Sequence, residues 1–426
     1  MGKRSNASLH NVLFATCMLL VLVAPMALWA TQDVAGLRLP SWLTAEDATY
    51  LSGSEESADV LEHTSLGGYR RGEFQHAVEV GIGNHIPLKA TALLGNAAFQ
   101  RTAIEVANIP FGWSCYPTFY GSNNLYVPER DALVGVPAKA TPEATDGWTS
   151  FARACADFAS RHPDKRFVMY LVQGDASAVA NPSVALVSDA LDSRTPVRIF
   201  EDAAANVENL TVLSVDYDSA EDYCHDYFRS DGHWNAIGAM RAYSEIAEVL
   251  GLSPINELRL RHVSRTGQLE DGDDGYRFIG AASRTGLLPL SEDAFDLDVD
   301  YSQVRVTKSD GTVGDGNDHE AFASYPDEHK AYVFHSHYYD NLTDCTTTSN
   351  GERRALLIGD SFKGAIQRPI MSQYQQVKVS SDLHHDIVPQ GRLEELVAGS
   401  DADDVIMVGL PSDYLTLWQQ APHYFN

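Results

Sequence analysis

Residues 354–362 read Arg-Ala-Leu-Leu-Ile-Gly-Asp-Ser-Phe, an apolar run that ends in a Gly-Asp-Ser turn. The run predicts a buried strand from Arg354 to Gly359, and the residues from about Lys363 to Tyr374 are typical of a helix. Because glycine permits a tight turn, the chain can reverse direction between the two elements. We therefore expect Ser361 at a strand-to-helix junction.

The same alternation of strands and helices occurs on both sides of this junction. Short runs rich in β-formers and segments with helical spacing predict the following elements: strands at 166–172, 209–215, 377–379 and 405–410, and helices at 148–161, 183–191, 236–250 and 392–398. This order indicates a mostly parallel sheet covered by helices on both faces. Gln173, Asp216, Ser361 and the stretch 411–413 each follow a predicted strand, so we expect them at the carboxyl edge of that sheet.

The pattern changes between residues 256 and about 352. Turns rich in Gly, Asp and Ser, at 270–275, 309–311 and 314–316, separate short alternating runs such as 303–307. Such spacing is typical of antiparallel strands. The sequence therefore predicts a β-rich insertion in the α/β fold.

Composition excludes one class of partner. The 426 residues carry a formal net charge of −27, and 44% of them are hydrophobic. The hydrophobic fraction is ordinary for a globular protein. Because nucleic acids are held by clustered Lys and Arg, the acidic balance argues against a nucleic-acid partner.

The N-terminus resembles a membrane anchor. Lys3 and Arg4 precede an apolar stretch from Val12 to Ala30, and no charged residue follows until Asp33. About 20 apolar residues span a bilayer, and the positive flank orients the N-terminus towards the cytoplasm. Cleavage as a signal peptide is the alternative, but Leu28 and Trp29 make a poor cleavage site, which favours an uncleaved anchor.

These features predict three segments: a signal anchor or transmembrane segment at 1–32, a spacer at 33–74, and an α/β domain at 75–426 that contains the insertion. The expected location is the cell membrane, crossed once, with the domain outside the cytoplasm. Cys17 falls in the anchor, which leaves four cysteines in a compartment where disulfides persist: Cys115, Cys155, Cys224 and Cys345. Three pairings are open, and the helical spacing around Cys155 also fits a buried thiol.

A second motif, Asp231-Gly-His-Trp, precedes a predicted helix for which Asn235 is a suitable N-cap. Asp231 and His233 alternate along an extended segment, which places both side chains on one side of the chain. Serine needs an imidazole to accept its proton and an anion to orient that imidazole. Ser361, His233 and Asp231 together could supply a nucleophile, a base and an orienting carboxylate. Taken singly, each motif also fits an ordinary turn or helix cap.

Residues 231–239, Asp-Gly-His-Trp-Asn-Ala-Ile-Gly-Ala, followed by 356–362, Leu-Leu-Ile-Gly-Asp-Ser-Phe, resemble extracytoplasmic SGNH-hydrolase-like proteins. These are grouped with the alginate O-acetyltransferases and the DHHW-motif proteins, and the resemblance covers roughly residues 75–426. In those families the Asp and His precede the serine, as they do here. Gly232 stands where DHHW proteins have a second histidine.

The resemblance implies an SGNH-hydrolase-like (flavodoxin-like) fold and an O-acetyltransferase or acetylesterase that acts on a cell-surface polysaccharide. It implies Ser361 as nucleophile, His233 as base, Asp231 as its partner and no cofactor. It also implies a multi-spanning membrane acyltransferase as acyl donor. The strong acidity argues against an alginate-like polyanion as acceptor. A non-catalytic glycan-binding or scaffold subunit of an export complex is the alternative.

A metal-dependent site has weaker support. His335 and His337 would share a strand face, and His384-His385 precede Asp386. Such spacing is unspecific, and the acidic loops at 271–274, 296–300 and 310–318 lack the pattern of an EF-hand. We expect no bound metal, and we interpret the loops as solvated turns.

Overall fold

The computed structural model describes residues 64–84, 89–135, 141–173, 194–217, 219–255, 259–263, 269–270, 277–293, 295–297, 299–317, 345–384, 388–389 and 391–425, with scattered residues between 12 and 37. Two units are distinguished. One comprises Met1–Ile104 with Thr118–Tyr120, and the other comprises Glu105–Pro117 with Gly121–Asn426. Residues 231–239 and 356–362, the two sequence motifs, belong to the second unit.

The strands in chain order are β1 Tyr116–Pro117, β2 Asn124–Val127, β3 Ala132–Gly135, β4 Arg166–Leu171, β5 Leu210–Leu213, β6 Leu260–Val263, β7 Leu269–Glu270, β8 Arg277–Phe278, β9 Glu292–Asp293, β10 Phe295–Leu297, β11 Arg305–Lys308, β12 Val313–Asp315, β13 Cys345–Thr348, β14 Arg354–Gly359, β15 Gln376–Ser380 and β16 Asp404–Gly409. The helices are α1 Leu66–Arg71, α2 Glu73–Asn84, α3 Lys89–Asn108, α4 Pro142–Arg161, α5 Arg194–Ala204, α6 Ala220–Asp226, α7 Ala236–Leu250, α8 Ala281–Thr285, α9 Lys363–Met371, α10 Leu393–Ser400 and α11 Pro411–Gln420.

The main sheet has eight strands in the order β12-β11-β13-β15-β14-β16-β4-β5. The five strands from β15 to β5 are parallel, and β12, β11 and β13 pair antiparallel at the other side. The fold is therefore a mixed α/β structure with a large, mostly parallel sheet, as the sequence predicts. β14 lies between β15 and β16, so its carboxyl end is inside the sheet rather than at an outer strand.

Apolar residues on both faces of β14 explain its central place. Ala355 and Leu357 belong to a core shared with α7 and α9, and Leu356 and Ile358 belong to a second core shared with α4, α10 and α11. All four side chains are buried. Because successive side chains point to opposite faces, a continuous apolar run is what a strand covered on both faces requires.

The insertion is β-rich, as predicted, within the described residues. Strands β6 to β13 all fall in it, and among the residues of the insertion that the structure describes the one helix is the short α8. β10, β6 and β7 form a small antiparallel sheet, and β8 pairs with β9. β11, β12 and β13 extend the main sheet, so the insertion is joined to the α/β core by backbone hydrogen bonds.

Several predicted bounds agree with the structure, and others shift. β14 and α7 have the predicted bounds, whereas α4 begins at Pro142 rather than Trp148. Thr141 caps α4 by accepting a hydrogen bond from the Ala144 N–H, and proline is favourable in the first turn. α11 was not predicted from the sequence. The predicted helix at 183–191 lies outside the described residues.

The first unit contains α1, α2 and the part of α3 up to residue 104. Ser65 caps α1 through a 3.0 Å hydrogen bond from the Gly68 N–H, and α2 runs through residues 74 and 75, where we place the start of the α/β domain from the sequence. The predicted anchor lies partly outside the described residues. None of the described helices combines the length and hydrophobicity needed to cross a membrane.

The four cysteines outside the predicted anchor are free thiols. Cys115, Cys155 and Cys345 are buried, and Cys224 is partly exposed. Burial raises the pKa of the Cys115 thiol to about 11 and that of Cys155 well above its ordinary value. The interpretation of Cys155 as a buried thiol therefore agrees with the structure.

Candidate active site

Ser361 lies two residues after β14 and two residues before α9, at the predicted strand-to-helix junction. Gly359 is closely packed there, because a Cβ atom on it would lie 2.6 Å from the Val408 carbonyl oxygen and 2.7 Å from the Lys363 Cβ. Only glycine fits this position without a shift of its neighbours. Among the described residues, none accepts a hydrogen bond from the Ser361 N–H.

Asp231 and His233 occupy a tight turn between α6 and α7. The Phe228 N–H donates to the His233 carbonyl oxygen at 3.1 Å, and the Asn235 N–H donates to the Asp226 carbonyl oxygen at 2.8 Å. Asn235 then caps α7 by accepting hydrogen bonds from two backbone N–H groups, as predicted. Closure of the turn at both ends fixes the backbone that carries the two side chains.

The structure brings the three candidate residues together. The His233 Nε2 atom lies 2.6 Å from the Ser361 Oγ, and the His233 Nδ1 atom lies 2.6 Å from the Asp231 Oδ1. The Asp231 side chain is fully buried, and the His233 side chain is 17% exposed. Because a carboxylate can only accept hydrogen bonds, the Nδ1 atom carries the imidazole proton and the Nε2 atom accepts the serine hydroxyl.

Asp231 is held by more than the histidine ring. Its Oδ1 also accepts the His233 N–H at 3.0 Å, and its Oδ2 accepts the Ala281 N–H at 2.5 Å. Ala281 is the first residue of α8, so the β-rich insertion supplies this last donor. Hydrogen bonds on both oxygens fix the plane of the carboxylate.

Ser230 and Glu292 form a second layer behind Asp231. The Glu292 Oε1 accepts hydrogen bonds from the Ser230 N–H, at 2.9 Å, and from the Ser230 hydroxyl. The Ser230 Oγ in turn accepts the Gly280 N–H at 3.0 Å. Burial raises the pKa of Glu292, although its hydrogen bonds from Ser230 oppose that effect.

This second layer has no local signal in the sequence. Glu292 and Gly280 lie more than 45 residues from Asp231 in the chain, and no local pattern relates them. The adjacent small residues Gly280 and Ala281, at the start of a short helix, are the one sequence feature that could have indicated a close approach to another segment.

Phe362 forms a wall of the site. Its ring stacks against the His233 ring at 4.5 Å between centroids and meets the Trp234 ring edge-on at 5.3 Å. Phe362 and Trp234 are both buried. The stacked ring limits rotation of the imidazole and shields one of its faces from water.

The other predicted edge residues have different surroundings. Gln173, Asp216 and the stretch 411–413 do follow the carboxyl ends of parallel strands. Gln173 donates from Nε2 to the Ser214 Oγ at 3.4 Å, and Asp216 forms an exposed ion pair with Arg194. The ammonium group of Lys363 is buried and donates to the Ser381 Oγ at 3.0 Å. Asp413 contacts Asp360.

The described residues contain no group of three or more His, Cys, Asp or Glu side chains that could hold a metal ion. His335, His337, His385, Asp386 and the loop 271–274 lie outside them. In the acidic loops that are described, Asp300, Asp310 and Asp315 each accept a hydrogen bond from the backbone N–H two residues further on. These carboxylates therefore stabilise turns.

No family model matches the chain, and no curated protein matches it. Solved structures that resemble it include a DHHW family protein from Eubacterium siraeum, with 14% identity and a TM-score of 0.48, covering 69% of this chain and 92% of that one. Bacillus cereus PatB1 with a sulfonyl adduct has 16% identity and a TM-score of 0.46, covering 66% and 93%. The O-acetyltransferase domain of Pseudomonas putida AlgJ has 14% identity and a TM-score of 0.35, covering 72% and 95%. These solved structures fall in the grouping that the two sequence motifs resemble.

Proposed function

We propose that the chain is an SGNH-type serine O-acetyltransferase or acetylesterase that modifies a cell-surface polysaccharide through an acyl-serine intermediate. The observation that carries the proposal is the chain of two 2.6 Å contacts from Asp231 through His233 to Ser361. A hydroxyl bonded to an imidazole that a buried carboxylate orients is the arrangement that activates serine for acyl transfer.

In the first step, the Ser361 Oγ attacks the carbonyl carbon of an ester donor while the His233 Nε2 takes the hydroxyl proton. The tetrahedral intermediate collapses when the alkoxide leaves and takes the proton from His233, so that the acyl group stays on Ser361. Asp231 stabilises the imidazolium that forms in between. No described residue accepts a hydrogen bond from the Ser361 N–H, so this group can donate to the oxyanion.

In the second step, a sugar hydroxyl or a water molecule attacks the acyl-serine, and His233 takes the proton of the attacking group. His233 then returns that proton to the Ser361 Oγ as the acyl group leaves. A sugar acceptor gives the transferase and water gives the esterase. Phe362 covers one face of the His233 ring, which favours an acceptor that itself displaces water from the open face.

This chemistry needs no cofactor, because all the required proton transfers run through His233. The acyl group must come from a donor outside the cytoplasm if the N-terminal segment anchors the chain in the cell membrane. A multi-spanning membrane acyltransferase would then supply the acyl group, and the polysaccharide would be the acceptor. The acidic chain favours a neutral or cationic polysaccharide, since a polyanion would be repelled.

Hydrolysis of p-nitrophenyl acetate and of acetylated xylan by the purified protein tests the proposal. We expect turnover by the parent protein and its loss, on the order of 10⁴-fold, in Ser361→Ala and His233→Ala. The matched controls are Ser150→Ala and His423→Ala, which change exposed residues of the same types and should keep full turnover. Turnover that survives both site substitutions contradicts the assignment and leaves a glycan-binding or scaffold subunit as the better explanation.

Transfer is separated from hydrolysis by adding xylo-oligosaccharides to the p-nitrophenyl acetate reaction. A transferase yields acetylated oligosaccharide, detected by mass spectrometry, together with faster release of p-nitrophenol. An esterase yields acetate alone. Both products should disappear in Ser361→Ala.

A further inference from the structure

The carboxyl group of Asp360, the residue immediately before Ser361, holds two different parts of the site. Its Oδ1 accepts the Phe362 N–H at 2.8 Å, and its Oδ2 accepts the Leu410 N–H at 2.8 Å. Leu410 follows β16 and is the N-cap of α11. Asp360 therefore fixes the backbone of Phe362, the residue after Ser361, and links the serine turn to the end of the neighbouring strand β16.

A second carboxyl group contacts the first. Asp413, in the first turn of α11, forms a side-chain hydrogen bond with Asp360. The two residues are 1% and 7% exposed, so both groups are removed from water. Because two carboxylates repel each other and neither can donate, a hydrogen bond between them requires one shared proton.

Other titratable groups also face Asp360. Tyr414 on α11 has its pKa raised well above the ordinary value, first by burial and then by Asp360, and it stays neutral. The Lys363 Nζ on α9 donates to the Ser381 Oγ and lies 3.5 Å from the Asp360 carbonyl oxygen. His233 contacts Ser361 on the other side of the turn.

We propose that Asp360 and Asp413 share one proton and act together as a positioning pair that holds Ser361 in reach of His233. This inference rests on the proposed function and deepens it. Neither residue touches the reacting atoms. The pair acts through the backbone on both sides of the serine.

Loss of the shared proton changes the pair from bonded to repelling. Two adjacent carboxylates repel each other. This repulsion moves the first turn of α11, together with the Leu410 N–H, away from the serine turn. Burial, and then the charge of Asp413, raise the pKa of Asp360 to about 7. The repulsion therefore sets in above neutral pH, and turnover by Ser361 falls there.

The pH dependence of kcat for p-nitrophenyl acetate tests the pair with Asp413→Asn and Asp360→Asn. An asparagine at 413 donates a hydrogen bond to Asp360 without titrating, so we expect the alkaline decline to vanish. An asparagine at 360 can no longer accept both backbone N–H groups, and we expect kcat to fall about 10²-fold at every pH. Asp216→Asn, at the same edge but exposed, should keep the parent profile.

A measurement that does not depend on turnover distinguishes loss of the shared proton from misfolding of a variant. Infrared difference spectra between pH 6 and pH 9 should show loss of a protonated carboxyl band in the parent protein. That loss should be absent in Asp413→Asn and in Asp360→Asn. Far-ultraviolet circular dichroism shows whether each variant is folded.

The outcomes separate the two proposals. Turnover that Ser361→Ala leaves intact contradicts the proposed function itself. Turnover that depends on Ser361, with an alkaline decline that Asp413→Asn leaves unchanged and no carboxyl band, overturns the positioning pair alone.

Discussion

The Nε2 atom of His233 lies 2.6 Å from the Oγ atom of Ser361, although 128 residues separate them in the chain. Two constraints produce this contact. The carboxyl end of β14 carries Ser361 to the edge of the parallel sheet, and a turn closed at both ends carries His233 to the same place. Neither constraint depends on the other, so the contact is a property of the fold rather than of one flexible loop.

Asp231→Asn should lower kcat for p-nitrophenyl acetate on the order of 10⁴-fold while leaving the fold intact. Both Asp231 oxygens accept N–H groups, and an amide replaces one of them with an NH2 donor, so the proton on Nδ1 and the acceptor role of Nε2 would no longer be fixed. Steady-state kinetics and circular dichroism measure the two effects. Asp222→Asn, an exposed residue of α6, is the matched control. Parent-like kcat in Asp231→Asn would rule out an orienting role for this carboxylate.

Gly280→Ala should impair the site from a distance. A Cβ atom at this position would lie 2.4 Å from the Asp231 Cβ and 2.4 Å from the Ser230 carbonyl oxygen, so Asp231 must move. Misplacement of a catalytic group costs about 10²-fold in kcat. Gly232→Ala is the control, because nothing lies within 4 Å of its Cβ position.

Gly232 also tests the departure from the DHHW motif. The position is exposed, so Gly232→His should leave kcat within about twofold of the parent, as surface substitutions usually do.

The outcome that contradicts the Gly280 prediction is an equal kcat for Gly280→Ala and the parent. It would show that the insertion does not support Asp231.

Much of the fold and the central contact could be predicted from the sequence. β14 and α7 have strong local signals, since an apolar run and a helical apolar face with an Asn cap are sufficient to place them. Local patterns do not encode strand order or the pairing of distant segments. The antiparallel join of β13 to β15 was therefore missed, as were Glu292 and the Ala281 N–H behind Asp231. Asp413 was expected at the edge, but its contact with Asp360 depends on α11, which was not predicted.

Asp404→Asn should destabilise the fold without acting on the site. Asp404 is fully buried at the start of β16 and bonds Arg166 at 2.7 Å, Arg353 at 2.8 Å and the Tyr374 hydroxyl at 2.8 Å. The substitution weakens charge-assisted hydrogen bonds from two partly exposed arginines to a buried carboxylate, which costs about 2 kcal/mol in free energy of unfolding. Urea denaturation measures the loss. The control is Asp164, an exposed carboxylate that lies 3.8 Å from the Lys165 Nζ, and Asp164→Asn should cost less than about 0.5 kcal/mol.

The contact between Asp360 and Asp413 should also make the free energy of unfolding depend on pH. The pKa of Asp360 rises from 3.8 to about 7 on folding, so the native state binds more protons than the unfolded state between these values. The contribution of this group is complete below pH 3.8 and is lost as the pH rises towards 7. Asp413→Asn should therefore gain stability relative to the parent, by about 1 kcal/mol or more, between pH 5 and pH 8. Urea unfolding at the two pH values checks this, and a constant difference between the two proteins would contradict it.

The most direct test of the central claim is covalent labelling with phenylmethanesulfonyl fluoride, followed by mass spectrometry of the intact protein and its peptides. If His233 activates Ser361, the parent protein takes up one sulfonyl group, and the modified peptide contains Ser361. Ser361→Ala takes up none, and His233→Ala reacts at least about 10²-fold more slowly. A sulfonyl group on another residue, or a labelling rate that His233→Ala leaves unchanged, would contradict the claim.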